Sequence, residues 1–459
     1  MLSDDRYFDP NPEQKALAME LYNLVKDAPI ISPHGHVDIK LFSQPDYHFP
    51  NPAALLFQSD HYVLRMLYSQ GISYDILLSD DDPYRAWETF AKNFYLFRGT
   101  PSGVWITHEL EMVFGITEKL NKNSAKSIYN KINDHLSSQN FTPRILFEQF
   151  NIEVLATTDS AADPLVHHQA LRISEWNGKI IPTFRADDLL NITSDSWIEK
   201  IHQLSELTNN LIDNYYKFIQ ALEDRRAAFK ALGAKAVDIG MTIPRAMRLS
   251  TIEVERLFEN ALRGKATKSE EMQFSAHMLY EMTRMSCEDG LVMQIHPGVY
   301  RNHNSQVYDQ YGPNMGFDIP ISVEFTNNLH QMLANFGNHP NFNLILFTVD
   351  ESTYSRELAP LAGAYPSIKL GPPWWFLDSW NGMTRYFDMV IETAGIYNTA
   401  GFNDDTRAFL SIPARHDLWR RASANWLADS LSRGLIGDED AEEMIHALAV
   451  GLAKSAYKL

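Results

Sequence analysis

The stretch Pro29-Ile30-Ile31-Ser32-Pro33-His34-Gly35-His36 sets a short apolar run directly before two histidines spaced i and i+2. A strand buried on both faces reads as such a run, because helices cover a parallel sheet on each side. Similar runs recur at 152–157, 180–184, 234–239, 291–295, 343–348, 367–370 and, more weakly, 399–403. Longer amphipathic stretches alternate with them, which is the pattern of βα units. Eight units predict an α/β chain folded as a (β/α)8 barrel of the TIM type rather than an open doubly wound sheet.

The spacing of the runs is uneven. The stretch 40–150 far exceeds one crossover helix and is rich in aromatic and helix-forming residues, so it reads as a mainly helical insertion after the first strand. The division is therefore 1–39 for an N-terminal helix and the first strand, 40–150 for the insertion, and 151–459 for the rest of the barrel with C-terminal helices. Residues 195–233 read as helices between strands three and four, and each gap between strands five and eight has room for one helix. Asp438, Glu439, Asp440 and Glu443 mark a late helix start, with acids at the positive end of the dipole.

Composition narrows the function classes. The chain has 459 residues, 45% hydrophobic and 21% charged, and a formal charge of −18. That balance excludes a nucleic-acid binder, which presents a basic face, and an anionic substrate would need a local cluster of Arg or Lys. No run approaches a membrane span, and the opening MLSDDRYFDPNPEQ is acidic and polar, unlike a secretory leader. Cys287 stands alone and can form no internal bridge, which suits a reducing compartment. The expectation is a cytoplasmic protein with no nucleic-acid or membrane partner.

In a parallel barrel the reactive side chains follow the carboxyl ends of the strands. The runs are followed by His34 and His36, by Arg185, by His296, by Asp350, by Trp374 and Trp375, and by Asp404, Asp405, Thr406 and Arg407. Residues i and i+2 of an extended chain point the same way, so His34 and His36 with a carboxylate from elsewhere would make a mixed N/O site for zinc or another divalent transition metal. The plainer reading is two histidines in a solvent-exposed loop. For Asp405 and Arg407, a surface ion pair competes with a pair facing one cleft, and for His61 and Tyr62, aromatic packing in the insertion competes with a role in the site. Arg185 suits a substrate carboxylate because guanidinium and carboxylate pair bidentately, against a structural salt bridge. Trp374 could cover an apolar sugar face or simply pack.

Further motifs join these in chain order: Asp60-His61-Tyr62-Val63-Leu64-Arg65, WITHELEMVFG at 105–115, Thr157-Thr158-Asp159, Pro182-Thr183-Phe184-Arg185, MQIHPGVYRNHN at 293–304, Gly312-Pro313-Asn314, Gly371 with Trp374-Trp375-Phe376, and DDTRAFLS at 404–411. Together with Ser32-Pro33-His34-Gly35-His36, they resemble the uronate isomerases, an outlying branch of the amidohydrolase superfamily, over about 33–421. The resemblance implies aldose–ketose isomerisation of a hexuronate (glucuronate or galacturonate) through a cis-enediol. It implies a divalent metal, expected to be zinc, on His34, His36 and Asp405. Asp405 with Arg407 would abstract the proton, and His61 and Tyr62 would stabilise the enediol and relay hydroxyl protons. Tyr62 could act near neutral pH only if neighbouring cations offset its high intrinsic pKa. Arg185, Trp374 and His296 would bind substrate or, for His296, support the site from behind. A homo-oligomer is expected.

Two departures stand out. Asp238-Ile239-Gly240 replaces the Asp-His-Gly expected after strand four, and Pro372-Pro373 stands where smaller residues are expected. Both bear on substrate contacts more than on reaction type. A metal-dependent hydrolase on the same barrel is the nearest alternative, but such sites add a Lys or Glu after strand four and a His after strand six. A sugar-acid binder without catalysis is the other alternative, and it need not keep His34, His36, Asp405 and Arg407 together.

Overall fold

In the computed structural model, which describes residues 2–459, the apolar runs pair into one parallel sheet. The strands are β1 (Ile30–Ser32), β2 (Ile152–Ser160), β3 (Ile180–Arg185), β4 (Ala236–Met241), β5 (Val292–Pro297), the short β6 (Val299–Tyr300) and β7 (Ile319–Pro320), then β8 (Leu344–Leu346) and β9 (Ile368–Leu370). Seven of them form the sheet in the order β1-β2-β3-β4-β5-β8-β9, while β6 and β7 make a separate antiparallel hairpin. Each neighbouring pair in the sheet is parallel, as helical crossovers require.

Alternation along the strands gives the sheet two different faces. Val237, Ile239, Met293, Ile295, Leu344 and Leu346 join the main core beneath the flanking helices. Their neighbours Ala236, Val292 and Ile345 point the other way, onto Ala456 and Tyr457 of the last helix, Leu452–Tyr457. Ala453 of the same helix packs with Ile31, Val154, Ala156 and Ile181 from β1, β2 and β3. One short helix thus touches the inner face of six strands, and the sheet is curled around it.

The run at 399–403 forms no full strand. Thr399 makes a single parallel bridge with Leu370, and Ala400 N donates to Leu370 O at 2.8 Å. Further on, His36 N donates to Thr406 O at 2.9 Å, so the segment also reaches the chain just after β1. The pleat fails because Gly401 has φ +69 and Asp405 φ 40, and left-handed residues break a ladder. Gly401 is obligatory on a second count, since a Cβ there would lie 2.6 Å from Ala453 N.

Residues 40–150 are helical, as expected, and pack around Phe57, Trp87, Phe90 and Ile128 in a core continuous with Ile30, Ile152 and Phe409. The helices Trp197–Thr208 and Tyr215–Ala231 fill the gap before β4. Asp438–His446 starts where its acids predict, with the Asp440 carboxylate accepting from Gly437 N at 3.1 Å. The gap after β5 holds more than the one helix expected. The helix Ser305–Tyr311 and the β6–β7 hairpin precede the crossover helix Thr326–Phe336. Left-handed turns at Gly298, Asn302, Gly312, Asn314 and Gly316 fold this excursion back over the sheet's carboxyl end. No helix among the described residues is long and apolar enough to cross a membrane.

The close approach at Gly401 is open to test against Gly434, which has φ +70 but nothing within 4 Å of its added Cβ. Gly434→Ala should lose about 1 kcal/mol from backbone strain alone. Gly401→Ala should lose roughly 1–3 kcal/mol more, because its Cβ has nowhere to go. Denaturant midpoints measure both, and equal losses would contradict the packing of the last helix against residue 401.

Candidate active site

A cavity of about 860 Å³ opens at the carboxyl ends of the strands. All nine residues singled out in the sequence line it: His34, His36, His61, Tyr62, Arg185, His296, Trp374, Asp405 and Arg407. They come from β1, β3, β5, the segment after β9, the irregular 399–407 segment and one helix of the insertion. That helix, His61–Tyr68, is capped by Asp60, whose Oδ1 accepts from Tyr62 N at 2.8 Å and Val63 N at 3.3 Å. The cap fixes the first turn, and His61 and Tyr62 are its first two residues.

At the floor of the cavity, Asp405 Oδ1 lies 3.1 Å from His36 Nε2 and 3.4 Å from His34 Nε2. Neither approach has hydrogen-bond alignment, and Asp405 Oδ1 is buried without a hydrogen-bond partner. His296 Nε2 is likewise buried without one. The ligand atoms of His34, His296 and Asp405 lie within 4.8 Å of one another, the spacing of donors around a common cation. His34 stacks on His296 with ring centroids 4.7 Å apart and meets His36 edge-on at 5.2 Å. The site therefore draws in His296 more closely than the sequence implies. Burial works against the charge of Asp405, but the attraction of His34 and His36 outweighs it and holds the carboxyl well below its usual range.

Behind the histidines runs a buried charge network. Asp238 Oδ1 is 2.6 Å from His296 Nδ1, and its Oδ2 is 3.0 Å from Arg185 Nη1. Arg185 also donates from Nε to Asp187 Oδ2 at 2.7 Å, and its Nη2 lies 2.7 Å from the same oxygen. With Nδ1–H given to Asp238, the His296 lone pair sits on Nε2, facing the cavity. Arg185 thus enters the cavity already held by two carboxylates, with Nε–H hydrogen bonded to Asp187 and its Nη atoms paired by charge with Asp187 and Asp238.

Asp405 and Arg407 do not share the extended geometry that their spacing suggested, because Asp405 is left-handed at φ 40. Arg407 Nη2 instead donates to Asn314 Oδ1 at 3.2 Å, on the loop of the excursion. Burial, followed by the Arg407 and Arg301 guanidiniums, drops the His61 pKa to about 3, so its ring is neutral at neutral pH. Burial also pushes Tyr62 well above its ordinary value. Arg415 pulls it down, but burial and Asp378 prevail, so the offset by cations expected for Tyr62 is absent and its phenol keeps its proton. Trp374 packs edge-on against His296 at 4.8 Å, and Arg301 lies over Trp375 at 4.8 Å.

Ile239 has no bearing on the cavity. It faces the helices while Asp238 and Gly240 line the site, the ordinary consequence of strand alternation. The sequence reading gave no role to Asp238, Arg301, Asn314, Trp375 and Arg415, which also line the cavity. Asp238 had a signal, a charged residue inside the apolar run of β4. The others lie on connecting segments whose path over the site no periodicity encodes.

The chain matches the glucuronate isomerase family model over residues 11–456. It is 50% identical to a uronate isomerase of Nostoc punctiforme over 466 aligned residues, covering 100% of this chain and 98% of that protein. The crystal structure of glucuronate isomerase from Caulobacter crescentus superposes with a TM-score of 0.98 at 45% identity, covering 100% of this chain and 97% of that one. A uronate isomerase structure from Thermotoga maritima gives 0.94 at 26% identity, with 100% and 99% covered. A match of this length and identity places the chain in the glucuronate isomerase family.

Proposed function

We propose that this enzyme interconverts the aldose and ketose forms of a hexuronic acid, moving a proton between C2 and C1 through a cis-enediol. The observation that carries the reading is the ionised Asp405 at the cavity floor, with His34 and His36 on one of its oxygens and Arg407, His61 and Tyr62 around the same space. The segment 399–406, bridged to β9 on one side and bonded to the chain after β1 on the other, would be the irregular eighth stave of a closed (β/α)8 barrel.

His34, His36 and Asp405 would hold a divalent cation, with His296 Nε2 facing the same point. The orphaned, buried Asp405 Oδ1 and His296 Nε2 fit such an ion, and the nitrogen–oxygen set suits zinc. When bound, the cation would polarise a sugar oxygen and ease its ionisation. Asp405 would take the proton from C2 and return it to C1. A carboxylate so far below its usual range is a weak base, so enediolate stabilisation must drive the transfer. Arg407 would supply positive charge there, Tyr62 would donate a hydrogen bond, and neutral His61 can accept a hydroxyl proton on one ring nitrogen while giving one from the other. Arg185 would offer its remaining N–H donors to the substrate carboxylate, and Trp374 would cover the sugar chain. A hydrolase is less well supported, because Asp350 caps its own turn, accepting from Ser352 N at 3.1 Å and Val323 N at 3.3 Å.

Incubation with glucuronate and galacturonate, followed by NMR, should show the keto-uronate forming from at least one. No ketose from either would overturn the reading. Purified protein should hold about one divalent ion per chain, as three protein ligands with an open position imply. The double variant His34→Ala/His36→Ala should hold none, and full occupancy there would remove the ligand assignment. Arg185→Met should raise KM strongly and Arg185→Lys should restore it only in part. Lost thermal stability with unchanged KM would leave Arg185 as the counter-charge of Asp238 and Asp187 alone.

A further inference from the structure

The last helix does more than fill the inner face of the sheet. Tyr457, buried on that helix, donates its hydroxyl to Gln294 Oε1 at 2.7 Å. Gln294, fully buried on β5, sets its amide nitrogen 3.4 Å from His34 Nδ1. Asn403 Nδ2 in turn donates to the Tyr457 oxygen at 3.4 Å. A polar line thus runs from the C-terminal helix and the 399–407 segment to the rear nitrogen of His34.

The direction of this line has a chemical consequence. With the Gln294 carbonyl taken by Tyr457, its NH2 group faces His34, and in the neutral ring Nδ1 then accepts while the proton sits on Nε2, toward Asp405. A metal on Nε2 needs the other tautomer, with Nδ1–H donating to an acceptor behind it. Gln294 is the group placed to be that acceptor. It becomes one by turning its amide over, which sends NH2 to the Tyr457 oxygen and frees the phenolic O–H to donate to the Asn403 carbonyl oxygen, its amide also turned. No residue gains or loses a proton in this reversal; His34 keeps one N–H, exchanged through water from Nε2 to Nδ1.

We propose that Gln294 and Tyr457 are positioning residues for His34, forming with Asn403 a hydrogen-bond relay whose polarity selects the His34 tautomer and reverses when His34 takes a metal. The inference rests on the reading of His34 as a ligand. It couples metal loading to the seating of the C-terminal helix, because the same hydroxyl that anchors Tyr457 must change its partner.

Zinc affinity, measured by competition with a chromophoric chelator, separates this role from packing. Gln294→Met keeps the shape and removes the acceptor, and it should weaken zinc binding roughly 10- to 100-fold. Gln294→Glu is an acceptor in either orientation and should bind zinc at least as tightly as the parent. A packing role predicts the reverse order, with Met tolerated and the buried Glu damaging. Nitrogen shifts of 15N-histidine-labelled protein give a second readout, with the His34 signal assigned by its loss in His34→Ala. Metal-stripped parent protein should show His34 protonated on Nε2, the zinc form should show it on Nδ1, and stripped Tyr457→Phe should already populate Nδ1–H. Zinc affinity within about twofold of the parent in Gln294→Met, or Nδ1–H in the stripped parent, overturns the relay. Zinc binding that survives His34→Ala/His36→Ala removes the ligand reading beneath it. Zinc lost there but unchanged in Gln294→Met removes the relay alone.

Discussion

The architecture around the cavity is organised by one buried negative charge. Asp405 lies at the floor of the site with its Oδ1 against the Nε2 atoms of His34 and His36, and an unpaired carboxylate there would be untenable. Its position requires a left-handed backbone at a residue other than glycine, which costs about 1 kcal/mol and is retained where the surroundings over-determine it. That kink is also what denies the 399–407 segment a regular strand. The irregularity of this segment and the placement of the buried carboxylate are one feature.

A second layer of charge steadies the first. Asp238 is wedged between His296 and Arg185, and Arg185 is shared with Asp187. Removing one member of such a buried set leaves an uncompensated charge, commonly a loss of about 3–5 kcal/mol. The network therefore fixes which nitrogen of His296 faces the cavity while tying β3, β4 and β5 together near their carboxyl ends. His34 and His296 both have their rear nitrogens engaged, His34 by Gln294 on β5 and His296 by Asp238 on β4. Gln294 and His296 on β5 share a face for the same reason that Ile239 on β4 does not share it with Asp238.

Much of this was legible in the sequence, and the reasons are physical. Seven strands were readable because burial on both faces demands continuous apolar runs, and the cavity residues outside the insertion were readable because they stand at or just after the ends of those runs, whereas His61 and Tyr62 were found only through the family resemblance. The insertion showed itself by length and aromatic content. What could not be read was anything set by a turn or by a partner distant in sequence. The spacing of Asp405 and Arg407 suggested a pair facing one cleft, and both line the cavity, but the positive φ at Asp405 sends Arg407 to Asn314, a partner the spacing does not announce. Arg185 read as a substrate-carboxylate binder or a structural salt bridge, and nothing local announces that Asp238, 53 positions away, will pair with it. Tyr62 read as a group needing nearby cations, and burial instead keeps its proton in place.

The central claim is that Asp405 carries a proton between C2 and C1 on one face of an enediol, and isotope exchange tests it most directly. A carboxylate exposed to exchange must bring solvent hydrogen into the product, so turnover of a hexuronate in heavy water should place deuterium at C1 of the ketose with a single stereochemistry. Asp405→Asn, analysed beside its metal content, should retain folded protein yet lose both turnover and exchange of the C2 proton. Exchange at the parent rate in that variant would contradict the account and move the base to His61 or Tyr62.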